Sequence, residues 1–432
     1  MKISFFQAGI IGAFVLLALI GIFVFATFTG SSGTGSIGTV TIWGTLPQDE
    51  IAPALANITG QNTELKGIRY VGKQPATFER ELVDALASGT GPDLVLISQE
   101  HLVSLEDKLI PIPYSSISAR AFTDAFVQEG QLFLASDGVY GIPLAVDPLV
   151  LYYNRATLSS AGIVAPPSAW EALVGLVPRT AQLDGGRNIE RGLIGLGTYA
   201  NVDHAGAILS ALFLQSGVPL SARTTLGLKA SLGAETQSFG GVSPGEAVVR
   251  YYTQFADPSK VSYTWNGSLP DSRQAFVSGD LALYIGFASD APFLRAANPN
   301  LDFDVAALPQ TGNAVNRITF GDLYAFAIPK GSPNPAGAYS AAVALADPAV
   351  MTALAGATGL APARLSLLGT EPADPFASVF YREALISRGW LSPAPEDTDR
   401  IFGAMIMDVI TGRVSLSEAL VSAERALTQA IQ

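Results

Sequence analysis

The sequence predicts an α/β protein behind an apolar N-terminal segment. From Thr39 to the C-terminus, short β-branched runs alternate with runs of helical periodicity, the pattern of layered α/β folds. Hydrophobic residues make up 49% of the 432 and charged residues 14%, which supplies a large core and room for two or three domains. Ala8–Phe28 is unbroken in its apolarity for 21 residues.

That run comes first in the chain. After Lys2 no charge appears until Asp49. A 21-residue helix spans roughly 31 Å, about the thickness of a bilayer core, whereas a cleaved signal has an apolar centre of only about 7–15 residues. Residues 1–28 therefore read as a transmembrane anchor, with a cleaved signal ending near Gly30-Ser31-Ser32 as the alternative. Lys2 keeps the N-terminus in the cytoplasm and places the remainder outside. Residues 29–39, TGSSGTGSIGT, form a flexible linker.

TVTIW (39–43), IRYV (68–71) and PDLVLIS (92–98) read as strands. ATFERELVDALASG (76–89) has helical spacing closed by Gly89. NRATLSSAGI (154–163), PPSAWEALVGLV (166–177) and AGAILSALFLQSG (205–217) read as helices. SRQAFVSGDLALYIG (272–286) is a helix, a Gly-Asp turn and a strand; residues 322–348 are a strand, a Pro/Gly turn and an Ala-rich helix. The last helix, 415–432, opens on a capping box of Ser415 and Glu418. Tyr152 and Tyr153 should split between core and surface, as strand alternation imposes.

Composition excludes several functions. A net charge of −12 argues against nucleic acid as a partner. With no cysteine there are no disulfides, thiolate sites or thiol nucleophiles. His101 and His204 are the only histidines, far apart, and no HExxH, GxSxG, Walker A or GxGxxG motif is present. No cofactor or metal is expected. Paired carboxylates for glycoside hydrolysis need no fixed local spacing and stay open.

Six stretches in order carry a resemblance: VTIWGT, GTGPDLVLISQEHLVSL, DGVYGIPLAVDPLVLYYNRATLSSAGIVAPPSAWEAL, AFVSGDLALYIGF, FGDLYAFAIPKGSPNP and ITGRVSLSEALVSAERAL. Together they resemble the extracellular solute-binding proteins of ABC importers, family 1, the group that includes maltose-binding protein. The resemblance implies a two-lobed periplasmic-binding-protein fold, type II-like, with a central cleft. It divides the chain into an N-terminal lobe of residues 40–146 plus 328–365 and a C-terminal lobe of 147–327 plus 366–432. It further implies a non-enzymatic, monomeric protein that captures a saccharide or related polar solute and delivers it to ABC permease subunits. A carbohydrate-active enzyme, or a sensory receptor on the same scaffold, is the alternative.

By the same resemblance, IPLAVDPLV is a crossover between lobes. Asp147 is then either a ligand-facing carboxylate on the cleft floor or a hinge carboxylate bonding backbone amides. The other ligand-binding candidates are Trp43, Thr45, Ser98, Gln99, Glu100, Asp203, His204, Phe287, Gly321, Asp322 and Trp390. Core packing competes for Trp43 and Trp390, and Trp265 is expected on a loop or rim. Asp322 stands where the family pattern has a second Gly. Its charge puts a plain maltodextrin preference in doubt and would favour a cationic or amino-bearing ligand, or a bound cation.

Overall fold

The computed structural model describes residues 37–225, 227–233, 241–312 and 314–432. The N-terminal run and most of the linker lie outside the described residues. Among the described residues, no single helix is long and apolar enough to cross a membrane.

Among the described residues, twelve strands form one sheet that runs through both halves of the molecule. Its main strands are β1 (Val40–Gly44), β2 (Ile68–Gly72), β3 (Leu94–Ser98), β4 (Ile142–Asn154), β5 (Gln182–Leu183), β6 (Ile189–Ile194), β7 (Leu281–Phe287) and β8 (Thr319–Pro329). Their order across the sheet is β2-β1-β3-β8-β4-β7-β6-β5. β1 pairs in parallel with β2 and β3, and β7 with β6, while the two long central strands β4 and β8 run antiparallel. Strands covered by helices on both faces read as continuous apolar runs. That is the character of LVLIS in β3 and LALYIGF in β7, both buried throughout.

Two hydrophobic cores flank the centre. One contains β1–β3 with Phe78, Phe122 and Phe133; the other contains β6 and β7 with Phe213, Tyr252 and Trp265. The long strands belong to both. Ile142–Val146 of β4 packs into the first core and Leu149–Tyr152 into the second. On β8, Phe320 packs into the second core and Leu323 into the first. Core membership thus changes at Asp147-Pro148 and at Gly321-Asp322, the second of these upstream of the 327/328 division expected from the sequence. A third connection is the helix Pro375–Ile386, with Phe376, Val379 and Phe380 in the second core and Ala384 in the first.

Most local expectations match the backbone. Phe78–Ala87, Arg155–Ser160, Ala205–Gln215 and Pro335–Leu345 are helices, and both halves of the Ser415–Glu418 capping box are present. Gly279 turns helix Ser272–Ser278 into β7 with a φ of +85°, the left-handed conformation glycine adopts without strain. Tyr152 is buried and Tyr153 is not, as alternation requires. Two expectations change. The helix placed at 166–177 begins only at Trp170, because the chain before it is extended and Ala169 bridges Gln310. Trp265 is no rim residue: it is 1% exposed within the second core.

Gly321 is fixed by proximity. A Cβ there would lie 2.2 Å from the Ser387 hydroxyl and 3.1 Å from Val146 Cγ1. Gly321→Ala should destabilise the protein by about 1–3 kcal/mol through overpacking. Adding Ser387→Ala should recover part of that loss, because the nearest clash is with the hydroxyl. Urea denaturation of the single and double variants checks both; an unchanged midpoint in Gly321→Ala would remove the packing account.

Candidate functional site

Two adjoining cavities open between the lobes, of about 380 Å³ and about 610 Å³. They share Glu100, Asp322, Pro395 and Asp399. The larger is lined on the first-lobe side by Thr45, Glu79, Arg80, Ser98 and His101. The smaller is lined on the second-lobe side by Tyr199, His204, Ser210 and Phe287. Sheet ends place several of these groups. Thr45 follows β1, Ser98 ends β3, Phe287 ends β7, and Asp322 sits on β8 at the crossover. In open α/β sheets the carboxyl ends of strands are where ligands gather.

The expected residues separate into two groups. Thr45, Ser98, Glu100, His204, Phe287 and Asp322 line the cleft. Trp43, Gln99, Asp147, Asp203, Gly321 and Trp390 lie outside both linings, and each has another engagement. Trp43 is half-buried, with the Lys73 ammonium 3.7 Å from its ring centre. Trp390 is buried against Phe402, and its indole donates to Ser210 at 3.1 Å, so it backs the cavity wall. Asp203 accepts from the Arg273 amide at 2.8 Å and from Ser272 Oγ at 3.1 Å. Asp147 accepts from the Ser289 amide at 3.0 Å, the hinge arrangement.

Gln99 is fully buried and its carboxamide is committed to β8. Nε2 donates to the Gly321 carbonyl and to Asp322 Oδ1, both at 3.1 Å, and Oε1 accepts from the Leu323 amide at 2.7 Å. It orients Asp322 toward the cleft from behind.

Sequence reasoning missed Tyr199, Asp399, Glu79 and His101 as lining groups. The Tyr199 hydroxyl donates to Asp399 at 2.5 Å. His101 Nδ1 lies 3.1 Å from the Ser98 hydroxyl, and its ring meets Phe78 edge-on. Burial holds the His101 imidazole down at about 4, so it is neutral near pH 7.

Carboxylates dominate the electrostatics. Burial raises Glu100 well above the usual range, and Asp322, Asp399 and Glu129 add to it. Burial lifts Asp322 to about 6, although the Gln99 hydrogen bond and His204 both favour its ionised form. Asp147 rises to about 7, again chiefly by burial. Burial alone would lower His204, but its 2.9 Å bond to Asp290 and the charges of Asp290, Asp203 and Asp147 reverse the sign and raise it. The His204 ring also meets Phe287 edge-on at 4.8 Å. His204 takes a left-handed φ of +59° immediately before helix Ala205–Gln215, which turns its ring toward the cleft wall.

Behind the cleft, Glu129 is buried and accepts from the Ser387 hydroxyl; its Oε1 has no partner among the described residues. Burial pushes its carboxyl up to about 8.

A family model described as bacterial extracellular solute-binding protein matches residues 56–375. A putative binding protein of Brucella abortus is 27% identical over 257 residues, 56% of this chain and 55% of that protein. The chain thus spans about half the length of the curated relatives it matches. Among solved structures, a solute-binding protein of an ABC transporter from Thermotoga lettingae, bound with α-D-tagatose, has a TM-score of 0.67 at 20% identity and covers 91% of this chain and 100% of its own. The cyclic α-maltosyl-1,6-maltose binding protein of Arthrobacter globiformis has a TM-score of 0.72 at 17% identity, covering 91% and 98%. At these identities the likeness speaks to the fold, which is the α/β two-lobed architecture of periplasmic binding proteins.

Glu129 sets a pH dependence of stability. Its folded value lies above the ordinary 4.5, so between these the native state holds a proton that the unfolded chain has released. Stability is then fully present below about pH 4.5 and falls as pH rises toward 8. Asp147 acts in the same direction. Wild type should lose roughly 1–2 kcal/mol more than Glu129→Gln between pH 6.5 and 8. Urea midpoints at the two pH values check this; equal slopes would show that Glu129 is ionised in the folded protein.

Proposed function

The chain belongs to the bacterial extracellular solute-binding proteins, and we propose that it captures a saccharide in the inter-lobe cleft and hands it to an ABC permease. The observation that carries this reading is the lining itself. Phe287, 8% exposed, brings an aromatic side chain to the cavity wall from the second lobe, while Glu100 and Asp322 bring carboxyl groups from the first lobe and the crossover. Aromatic faces cover the C–H surface of a sugar ring, and a few convergent polar groups fix its hydroxyls. Solved structures of the same fold hold tagatose, in the Thermotoga lettingae protein, and maltotetraose, in a cyclo/maltodextrin-binding protein, which supports the solute class. No catalytic step is assigned to the cleft.

Binding is coupled to hinge closure about the crossovers at Asp147-Pro148 and Gly321-Asp322. The segment Ala8–Phe28 holds the protein at the outer face of the membrane as an uncleaved anchor. Full-length protein expressed in a bacterium should then remain in the pellet after alkaline carbonate extraction. Recovery of a soluble form starting near Gly33 would reveal cleavage instead.

A panel of mono- and oligosaccharides tests the solute class. A true ligand raises the melting temperature, because it binds only the folded state, and it should shrink the radius of gyration in small-angle scattering. Phe287→Ala should weaken that ligand by about 0.5–1.5 kcal/mol beyond the buried area lost, which is roughly two- to tenfold in Kd. Calorimetry reads the change. Wild-type affinity in a folded Phe287→Ala protein would take Phe287 out of the site.

A further inference from the structure

We propose that the solute presents a protonated amine to Glu100, Asp322 and Asp399, so that this cleft selects an amine-bearing saccharide over its neutral counterpart. The inference rests on the saccharide reading above and names the feature that distinguishes its ligand.

Glu100 stands where the two cavities meet. Asp322, Asp399 and Glu129, all carboxylates, add to the effect of burial on it. No hydrogen bond or ion pair from a described residue reaches its side chain. Asp322 is held only by the neutral carboxamide of Gln99 and Asp399 only by the Tyr199 hydroxyl. The imidazole of His204, across the smaller cavity, is bonded to Asp290. Three carboxyl groups from three parts of the chain therefore line one site; the Arg80 guanidinium lines the larger cavity and His204 acts on Asp322, but no described Lys, Arg or His forms an ion pair with any of the three.

A neutral sugar can donate hydroxyls to these groups. It brings no positive charge, and closing the lobes over it would remove three carboxyl groups further from water. Buried like charges are costly unless one is neutralised or an opposite charge arrives. An ammonium group supplies both the hydrogen bonds and the charge. A metal ion fits less well, because no group of three or more His, Asp or Glu among the described residues is arranged to hold one. Phe287 lines the same cavity from the second lobe.

The test uses the full-length chain and matched probes: glucose, glucosamine and N-acetylglucosamine, with their β-1,4-linked disaccharides, and spermidine as an amine without a sugar ring. Calorimetry at pH 7 should show the free-amine member of a set binding at least tenfold more tightly than its neutral and N-acetylated partners, about 1.4 kcal/mol. Glu100→Gln should narrow that ratio to about threefold or less, with Asp399→Asn as the second variant if the first is unfolded. Equal or tighter binding of the neutral sugars overturns the amine inference and leaves the saccharide reading standing. Binding of spermidine alone supports the amine inference and overturns the saccharide reading. No binding by any probe overturns both.

Discussion

Two carboxyl groups placed side by side at the centre of the sheet set the terms for the rest of the structure. Asp147 on β4 and Asp322 on β8 are direct partners in the antiparallel ladder. Like charges at opposed positions destabilise a strand pair, and burial aggravates the repulsion. The fold meets this by tying each group to a different lobe. Asp147 takes the Ser289 amide, just beyond β7 of the second lobe, and Asp322 takes Gln99, just beyond β3 of the first. Both remain raised, to about 7 and about 6. The pair thus stitches the crossover strands to both halves of the molecule while leaving Asp322 facing the cleft.

The ladder is weak at the neighbouring rung. Pro148 pairs with Gly321; proline brings no N–H to the ladder and glycine brings no side chain. A register shift follows between Tyr324 and Ala325. A continuous sheet would otherwise resist bending at this point. The third connection limits the freedom gained. Ser387-Arg388 pairs with Thr319-Phe320, Ser387 binds Glu129, and a Cβ on Gly389 would come within 3.0 Å of Gln99. Under the proposed hinge closure, three connections pinned together let the lobes swing but not twist freely.

Much of this was legible in the sequence because the signals are local. The capping box at Ser415, the Gly279 turn and the apolar runs of β3 and β7 depend on neighbours within a few residues. The crossover residues were legible only through resemblance, and the choice between ligand and hinge roles for Asp147 turned on the Ser289 amide, distant in sequence. Trp265 does lie on a loop, but its depth was hidden for the same kind of reason. Its polar setting, SYTWNGSLP, reads as loop, yet the chain folds the indole under β6, where it lies against Gly192 and Gly195. Asp399 was hidden by its helix. Pro395–Ile410 opens with Glu396 and Asp397, and acids in a first turn are ordinary dipole partners, so nothing in the pattern distinguished a cleft carboxylate. Glu129 and Ser387 meet only in the folded chain.

The distribution of the cleft carboxylates over the moving parts has a mechanical consequence. Glu100 follows β3 and travels with the first lobe. Asp399 lies on a helix whose Ile401, Phe402 and Met405 pack into the second core, so it travels with the second. Asp322 sits at the pivot. Closing the lobes brings Glu100 and Asp399 toward each other and toward Asp322, and removes water from between them. Without a compensating charge that motion runs uphill, because repulsion grows as distance and local dielectric both fall. With an ammonium between them it runs downhill. On the proposed reading, the groups that recognise the ligand also bias the empty protein toward the open state. A ligand shifts such an equilibrium only by its differential affinity for the two states, and here that difference is concentrated in the charge pairs that exist only when the cleft is shut.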